Sequence, residues 1–243
     1  DMKNSMIKKL QPYPRRGFVA IKPYVQKAIQ RNNKNCEKQI TFLSGFPRSG
    51  TNMVLEVFEW SSKTEVFRES DRRMNVNFQL KDNTAIVALV KNSPAKHIMV
   101  KAILDSHRLH ELRGLFPDSG VIWMYRHYDD SVNSIMDLWP GHRNGIDDIV
   151  ADGIDAAGWR GANMSPDTLA QLRAEYQPEW NDATCNAWFW YLRQQLYYDQ
   201  GFPENERAIL VRYESLVVDP LRVIRPLADL VGVPLTRIMA SVP

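Results

Sequence analysis

Cysteine, histidine and long apolar stretches are scarce in this sequence of 243 residues. The two cysteines, Cys36 and Cys185, and the five histidines show none of the Cys-x-x-Cys or Cys/His spacings of a metal site. Two cysteines are also too few for a disulfide scaffold, so we expect two reduced thiols. No run of about eighteen apolar residues occurs, which argues against a membrane-spanning helix in these residues. The chain is long enough to bury one substantial core.

Charges of the two signs are nearly balanced overall but unevenly distributed along the chain. Residues 1–38 contain ten Lys and Arg against two Asp and Glu, whereas the remainder contains 21 basic and 26 acidic side chains. An acidic body argues against nucleic-acid binding. We therefore divide the chain into a basic N-terminal arm, residues 1–38, and a single domain, residues 39–243. A solvated arm is the favoured interpretation, and contact of the arm with an anionic membrane surface is the alternative.

The sequence constrains cellular location only weakly. The chain begins at Asp1 and shows no signal-peptide pattern. We expect a cytoplasmic protein, with a removed upstream leader or anchor as the alternative. Nothing in the sequence indicates an oligomeric state.

Short apolar runs alternate with helical patterns along the domain. Four such runs lie at residues 40–44, 97–100, 120–125 and 208–212. Each run is followed by residues with helical spacing; Asp105 or Ser106 is a candidate cap of one helix, and Pro220 begins another. The alternation predicts a three-layer α/β fold in which helices cover both faces of a central parallel sheet. Ligands of such sheets bind beyond the carboxyl ends of the strands.

One stretch interrupts this alternation. Residues 139–180 are rich in Gly, Asp and Trp, and we interpret them as an inserted lid or acceptor-binding region. Apolar residues then recur every four positions at Trp180, Thr184, Trp188, Leu192 and Leu196. This spacing predicts one long helix whose stripe packs in the core.

A glycine-rich loop follows the first predicted strand. It reads Gly45-Phe-Pro-Arg-Ser-Gly-Thr-Asn52, with two glycines at the separation found in a P-loop. The backbone N–H groups of such a loop and the positive end of the next helix bind phosphate. Kinases and NTPases place Lys and then Ser or Thr after the second glycine, whereas Thr51 and Asn52 follow Gly50, and the loop cation is Arg48. A P-loop kinase or NTPase is therefore an alternative function.

The segment Pro47-Arg-Ser-Gly-Thr51 resembles the phosphosulfate loop of the sulfotransferase family, which reads Pro-Lys/Arg-Ser-Gly-Thr. The resemblance implies an enzyme with a P-loop-like strand-loop-helix that moves a sulfuryl group from PAPS (3′-phosphoadenosine 5′-phosphosulfate) to a hydroxyl or amine acceptor. It implies release of PAP and no metal. The residues it assigns to donor binding are Gly45, Pro47, Arg48, Ser49, Gly50, Thr51 and Asn52. A catalytically inactive PAP- or PAPS-binding protein is a second alternative.

A second segment, after the predicted strand 120–125, also resembles the family. In the family an Arg leaves a strand and a Ser eight residues later lies on the next helix, which implies that Arg126 and Ser134 bind the 3′-phosphate; Ser131 is a lesser candidate. A guanidinium offers a planar fork to phosphate oxygens. Trp188 or Tyr191 are candidates for stacking on adenine, with core packing at least equally expected.

Sulfuryl transfer leaves negative charge on the oxygen that links sulfur to the departing nucleotide, and a cation must meet that charge. Arg48 is the first candidate for this catalytic role, and Lys101, at the end of a predicted strand, is the second. The likeness to the family extends to a segment after the last predicted strand, where we expect Glu214 to cap or pair locally.

The general base is assigned by resemblance. Many relatives place a His two residues beyond a strand-end Lys, where this sequence has Ile103. Other branches carry a catalytic Glu in the region of Glu69, so Glu69 is the preferred base, and His107 and His110 are the alternatives.

The identity of the acceptor is open at this stage. A small molecule, a carbohydrate, a lipid or a peptide tyrosine would each suit the resemblance. Arg68, Arg72 and Arg73 are candidates for orienting an anionic acceptor, although solvated positive charge is the favoured interpretation.

Overall fold

The computed structural model describes residues 13–30 and 37–240. The strands are β1 Gln39–Gly45, β2 Thr64–Phe67, β3 Asn75–Val76, β4 Gln79–Leu80, β5 His97–Lys101, β6 Gly120–Tyr125 and β7 Ala208–Arg212. The helices are α1 Tyr13–Gln30, α2 Thr51–Glu59, α3 Asn83–Asn92, α4 Leu109–Leu115, α5 Tyr128–Leu138, α6 Ile146–Asp152, α7 Pro166–Glu175, α8 Asp182–Asp199, α9 Tyr213–Val218, α10 Pro220–Val231 and α11 Arg237–Ala240. Short 3₁₀ helices span Ser106–Arg108 and Gly158–Arg160.

Five strands form a parallel sheet in the order β2-β5-β1-β6-β7, and β3 and β4 form a separate antiparallel pair. The predicted α/β class is confirmed, and each of the four predicted runs lies within a strand of the sheet. From β1 the chain moves to β2 on one side, whereas from β6 it moves to β7 on the other. The crevice at the carboxyl ends of β1 and β6 is therefore the switch point where such sheets bind ligands.

Alternate residues of the central strands pack on opposite faces of the sheet. Phe42 and Trp123 lie on the face covered by α3, α4 and the end of α8. Leu43 and Met124 lie on the face covered by α2, α9, α10 and α11. Because both faces are covered, the central strands are apolar at nearly every position, as expected for a buried parallel sheet.

Residues 139–180 form α6 and α7 and pack with α5 and α8 around a third apolar cluster. Ile149 and Leu172 of the inserted segment belong to that cluster, as does Phe189 of α8. Phe46, from the glycine-rich loop, is fully buried in the same cluster, with its ring centroid 5.4 Å from that of Phe189. The inserted segment is thus packed directly against the loop that follows β1.

The predicted stripe on α8 is partly wrong. Leu192 and Leu196 are buried as expected, but Trp180 precedes the helix and stacks on Trp188 with ring centroids 5.7 Å apart. Thr184 lies in the first turn, where its N–H and hydroxyl both donate to Asn181 Oδ1. The cap interaction therefore takes the position of Thr184, whereas Trp180 and Trp188 are partly buried and pack against the third apolar cluster.

The described part of the basic arm consists of the helix α1 and residues 37–38. Lys22 is buried and donates to the Glu59 carbonyl at 2.8 Å, and burial lowers the pKa of Lys22 to about 8. Gln26 is also buried and donates to the Thr64 carbonyl at 3.0 Å. These two contacts attach α1 to α2 and β2. Lys22 and Gln26 are therefore not solvated, contrary to the favoured interpretation of the arm. The rest of the arm, including Cys36, lies outside the described residues.

Two other expectations concern helix ends and membrane spans. Asp105 precedes the 3₁₀ helix but does not cap it, because its carboxylate accepts from Leu80 N at 2.8 Å and from Arg108 Nε at 2.9 Å. Ser106 is inside the 3₁₀ helix. Among the described residues, no helix combines the length and apolar character that crossing a membrane requires.

Gly45 provides a test of the contact between β1 and β6. It has φ +126°, and a Cβ at this position would lie 2.2 Å from the Met124 carbonyl oxygen. We expect Gly45→Ala to destabilise the protein by on the order of 3 kcal/mol in urea unfolding. Gly114→Ala is the control, because a Cβ there meets nothing within 4 Å and should stabilise the exposed helix by about 0.5–1 kcal/mol. Equal stability of Gly45→Ala and the wild type would contradict this account.

Candidate active site

The loop between β1 and α2 has the backbone shape of an anion-binding loop. Arg48 and Gly50 both have positive φ, 70° and 88°. Gly50 is the N-cap of α2 and provides no side-chain acceptor, so the first N–H groups of the helix, at the positive end of the helix dipole, are not capped by a side chain. This arrangement suits a phosphate or sulfate group.

Most of the predicted donor-loop residues line one cavity of about 620 Å³ at the carboxyl ends of the strands. These residues are Pro47, Arg48, Gly50, Thr51 and Asn52. Gly45 and Ser49 do not line it. The Ser49 side chain is buried and donates to the Phe46 carbonyl, which stabilises the turn from within. Gly45, which has no side chain, instead allows the backbone of β1 to approach β6 closely.

The structure brings Arg48, Arg126 and Ser134 together. Arg48 Nε donates to Ser134 Oγ at 2.9 Å, and Arg126 Nη1 donates to the Arg48 carbonyl at 3.0 Å. The guanidinium of Arg126 also lies over the Tyr213 ring, 4.5 Å from its centroid. Ser131 is fully buried and its hydroxyl points back to the Arg126 carbonyl. Arg48 and Arg126 are thus positioned to act on one anionic ligand, and Ser131 is not.

A second polar group lies where β5 ends. Lys101 is only 8% exposed; its Nζ lies 2.8 Å from Glu69 Oε2 and donates to Asn52 Oδ1 at 3.1 Å. Burial raises the pKa of Glu69, and the charge and hydrogen bond of Lys101 oppose that rise. Glu69 Oε1 is buried and has no hydrogen-bond partner within the described ranges. The Glu69 side chain lines the cavity, with one carboxylate oxygen paired to Lys101 and the other buried without a hydrogen-bond partner among the described residues.

The predicted alternative bases lie elsewhere. Neither His107 nor His110 lines the cavity, and His110 is exposed. Burial, reinforced by the charges of Arg193 and Arg108, lowers the pKa of His107 to about 4. The structure therefore places neither histidine beside Lys101.

Two further expectations are changed by the contacts. Arg68 pairs with Glu59 at 2.6 Å, and Arg73 pairs with both Asp71 and Glu65. Arg68, Arg72 and Arg73 do not line the cavity, so they are not positioned to orient an acceptor there. Glu214 does not pair only locally, because its Oε1 accepts from His127 N at 2.9 Å and links the loops after β6 and β7.

The aromatic residues of the cavity differ from the predicted ones. Trp188 and Tyr191 do not line it; Trp188 packs against Trp180. The aromatic residues that do line it are Phe78, Trp139, Trp159, Phe189 and Tyr213. Tyr213 could have been found from the rule that sites follow strands, since it comes directly after β7. The other four depend on long-range packing that the sequence pattern does not reveal.

Arg160 and Asn144 also line the cavity and were not predicted from the sequence. The charged lining residues are thus Arg48, Glu69, Lys101, Arg126 and Arg160. Four cations against one carboxylate favour a polyanionic ligand. In the part of the chain that the structure describes, no three His, Cys, Asp or Glu side chains are grouped to hold a metal ion.

Comparisons with known proteins identify the family and agree with the fold. A family model described as "Sulfotransferase domain" matches residues 38–241. The sulfotransferase domain from the curacin biosynthetic pathway superposes with a TM-score of 0.50 and 18% identity, covering 84% of this chain and 77% of that one. Sulfotransferase STF9 from Mycobacterium avium gives 0.51 and 13%, covering 89% and 69%. No curated protein sequence matches significantly. At these identities the solved structures support the fold.

The coupling of Glu69 to Lys101 can be measured directly. We expect Lys101→Met to raise the pKa of Glu69 further, because the substitution removes the charge and the hydrogen bond that oppose the effect of burial. Titration of the Glu69 carboxyl carbon by NMR is the measurement. Lys91→Met, on the exposed end of α3, is the control and should leave that pKa unchanged. An equal or lower pKa in Lys101→Met would show that the pair is not coupled as described.

Proposed function

Because the chain belongs to the sulfotransferase family, we propose that it transfers a sulfuryl group from PAPS to a hydroxyl group of an acceptor and releases PAP. The observation that supports this most is the position of Glu69. The Glu69 side chain lines the same cavity as the glycine-rich loop, its Oε2 is paired with the cation Lys101, and its Oε1 has no hydrogen-bond partner among the described residues. A base, a cation and an anion-binding loop in one cavity are the groups that in-line sulfuryl transfer needs.

In this proposal the donor is bound at the switch point between β1 and β6. The N–H groups at the start of α2 and the Arg48 guanidinium would hold the phosphosulfate. Arg126 and Ser134 would hold the 3′-phosphate, which is consistent with their contacts to Arg48. Tyr213, packed on the Arg126 guanidinium, keeps that side chain directed into the cavity.

The chemistry is assigned to three side chains. Glu69 Oε1 accepts the proton of the acceptor hydroxyl, whose oxygen forms a bond to sulfur. The bond between sulfur and the bridging phosphate oxygen breaks, and its electron pair stays on that oxygen. Arg48 and Lys101 stabilise the negative charge that develops there. The role of Arg48 is electrostatic, because a guanidinium is too weak an acid to donate a proton.

The role of Glu69 as base predicts a pH profile. Since burial raises the pKa of Glu69, the wild-type rate should fall as the pH drops through a value above that of an ordinary glutamate, where the carboxylate becomes protonated. Glu69→Gln should lower kcat by about 10²–10⁴ and abolish this limb of the profile, with unchanged PAP affinity. Glu206→Gln, at an exposed position, is the control. An unchanged profile in Glu69→Gln would remove Glu69 from the mechanism.

Donor identity is tested with matched nucleotides. PAP should bind more tightly than AMP, which lacks the 3′-phosphate, and Ser134→Ala should weaken PAP binding about ten-fold while leaving AMP binding unchanged. Asn133→Ala, exposed on the same helix, is the control, and calorimetric titration is the measurement. Binding of Mg²⁺-ATP without any response to PAP would contradict the proposal. PAP binding without transfer from PAPS to any acceptor would instead favour a nucleotide-binding protein.

A further inference from the structure

One cation of the cavity is not used by the proposed transfer reaction. Arg48 and Arg126 belong to the donor loops, and Lys101 is paired with Glu69. Arg160 lies on the inserted segment, in the 3₁₀ helix Gly158–Arg160, and lines the same cavity. None of its hydrogen bonds or ring contacts involves the donor loops.

The guanidinium of Arg160 is held in place but has no anionic partner. Its Nε donates to Asn144 Oδ1 at 3.3 Å, and its Cζ lies 4.9 Å from the centroid of the Trp159 ring. Over the residues that the structure covers, its Nη1 and Nη2 make no hydrogen bond and no carboxylate pairs with it. Two terminal nitrogens in one plane therefore remain available to a ligand.

This unpaired charge is unfavourable for the protein alone. Arg160 is partly buried, and burial lowers its pKa with no nearby carboxylate to oppose the effect. A second cation lies close by: the Arg193 guanidinium is 5.2 Å from the centroid of the same Trp159 ring. Arg193 thus already packs on Trp159. Binding of a ligand explains a second cation at this ring more simply than protein stability does.

Arg193 fixes the backbone that carries Arg160. It is 1% exposed, its Nη1 donates to the Trp159 carbonyl at 2.7 Å, and its Nη2 donates to Ser106 Oγ. These bonds attach the 3₁₀ helix to the segment that follows Lys101. The unpaired guanidinium is therefore held at a fixed position relative to the proposed catalytic pair, as a binding residue needs to be.

The cavity that Arg160 lines has several apolar and aromatic walls. Trp139, Trp159 and Phe189 line it, together with Ile103 and Leu104 from the loop after β5. Trp159 packs on the Arg160 guanidinium, and Phe189 packs on Trp159. Such walls suit an apolar ligand body with one charged group. A planar guanidinium with two free terminal nitrogens matches a carboxylate, and a single free cation balances its single charge.

We propose that Arg160 binds a carboxylate of the acceptor, so that the preferred acceptors are hydroxy acids with an apolar or aromatic body. This inference rests on the proposed function and deepens it by naming the substrate class. The acceptor hydroxyl would lie at Glu69, and the carboxylate at Arg160.

The test compares matched probes on PAP-saturated protein. The carboxylates are 4-hydroxybenzoate, 4-hydroxyphenylacetate and 3-(4-hydroxyphenyl)propanoate, and each is paired with its neutral amide. Equilibrium dissociation constants are measured for the wild type, Arg160→Gln, Arg160→Lys and the control Arg173→Gln, which changes an exposed arginine of α7 outside the cavity. Melting temperatures and PAP affinity report on folding and on the donor site.

We expect the wild type and Arg173→Gln to bind at least one carboxylate about ten-fold or more tightly than its amide. Arg160→Gln should abolish this preference and leave amide and PAP binding unchanged, and Arg160→Lys should retain part of it. A merely structural role would weaken carboxylates and amides alike. Equal wild-type affinity for both members of every pair, a preference that persists in Arg160→Gln, or a loss of PAP affinity in that variant would each overturn the inference. The first two outcomes leave the proposed transfer reaction intact, whereas failure to bind PAP in the wild type would remove the reaction itself.

Discussion

At Gly45 the backbone of β1 passes β6 with no room for a side chain: a Cβ would lie 2.2 Å from the Met124 carbonyl oxygen. This contact decides where the two loops leave the sheet. The loop after β1 and the loop after β6 start side by side, so Arg126 reaches the Arg48 carbonyl and Arg48 reaches Ser134. A wider separation of the strands would leave two weak anion sites in place of one site with two cations.

The polar groups of the cavity are stabilised mainly by one another. Lys101 and Glu69 are both largely buried, and their pairing offsets part of the desolvation that each would otherwise suffer. Asn52 accepts a hydrogen bond from Lys101 and so ties the pair to the start of α2. Asn52, which stands where a kinase P-loop has Ser or Thr, therefore positions a lysine from a neighbouring strand. The Lys101 ammonium group lies beside the loop, but it is paired with Glu69, whose carboxylate can accept a proton.

The sheet and the position of the glycine-rich loop could be predicted from the sequence because their signals are local. The strand β6 has the predicted bounds, residues 120–125, and the glycines of the first loop mark its turns. The proposed acceptor side could not be predicted in this way. Arg160 enters the cavity through contacts with Asn144 and Trp159 and through the bonds of Arg193, which are set by how the inserted segment packs. For Ser49 the motif predicted donor binding, but its hydroxyl donates to the Phe46 carbonyl within the turn.

The helix α8 connects all these parts, since residues four apart lie on one face of a helix. Phe189 packs on Phe46 of the glycine-rich loop, and Arg193, one turn later, binds the Trp159 carbonyl. On the adjacent face, Trp190 donates to the Arg126 carbonyl, and Gln194 accepts from Trp123 of β6. The same two turns of α8 thus fix both the loops after β1 and β6 and the inserted segment. Substitutions at exposed positions of the inserted segment could therefore change the proposed acceptor preference without moving the proposed donor site, because α8 sets the distance between them.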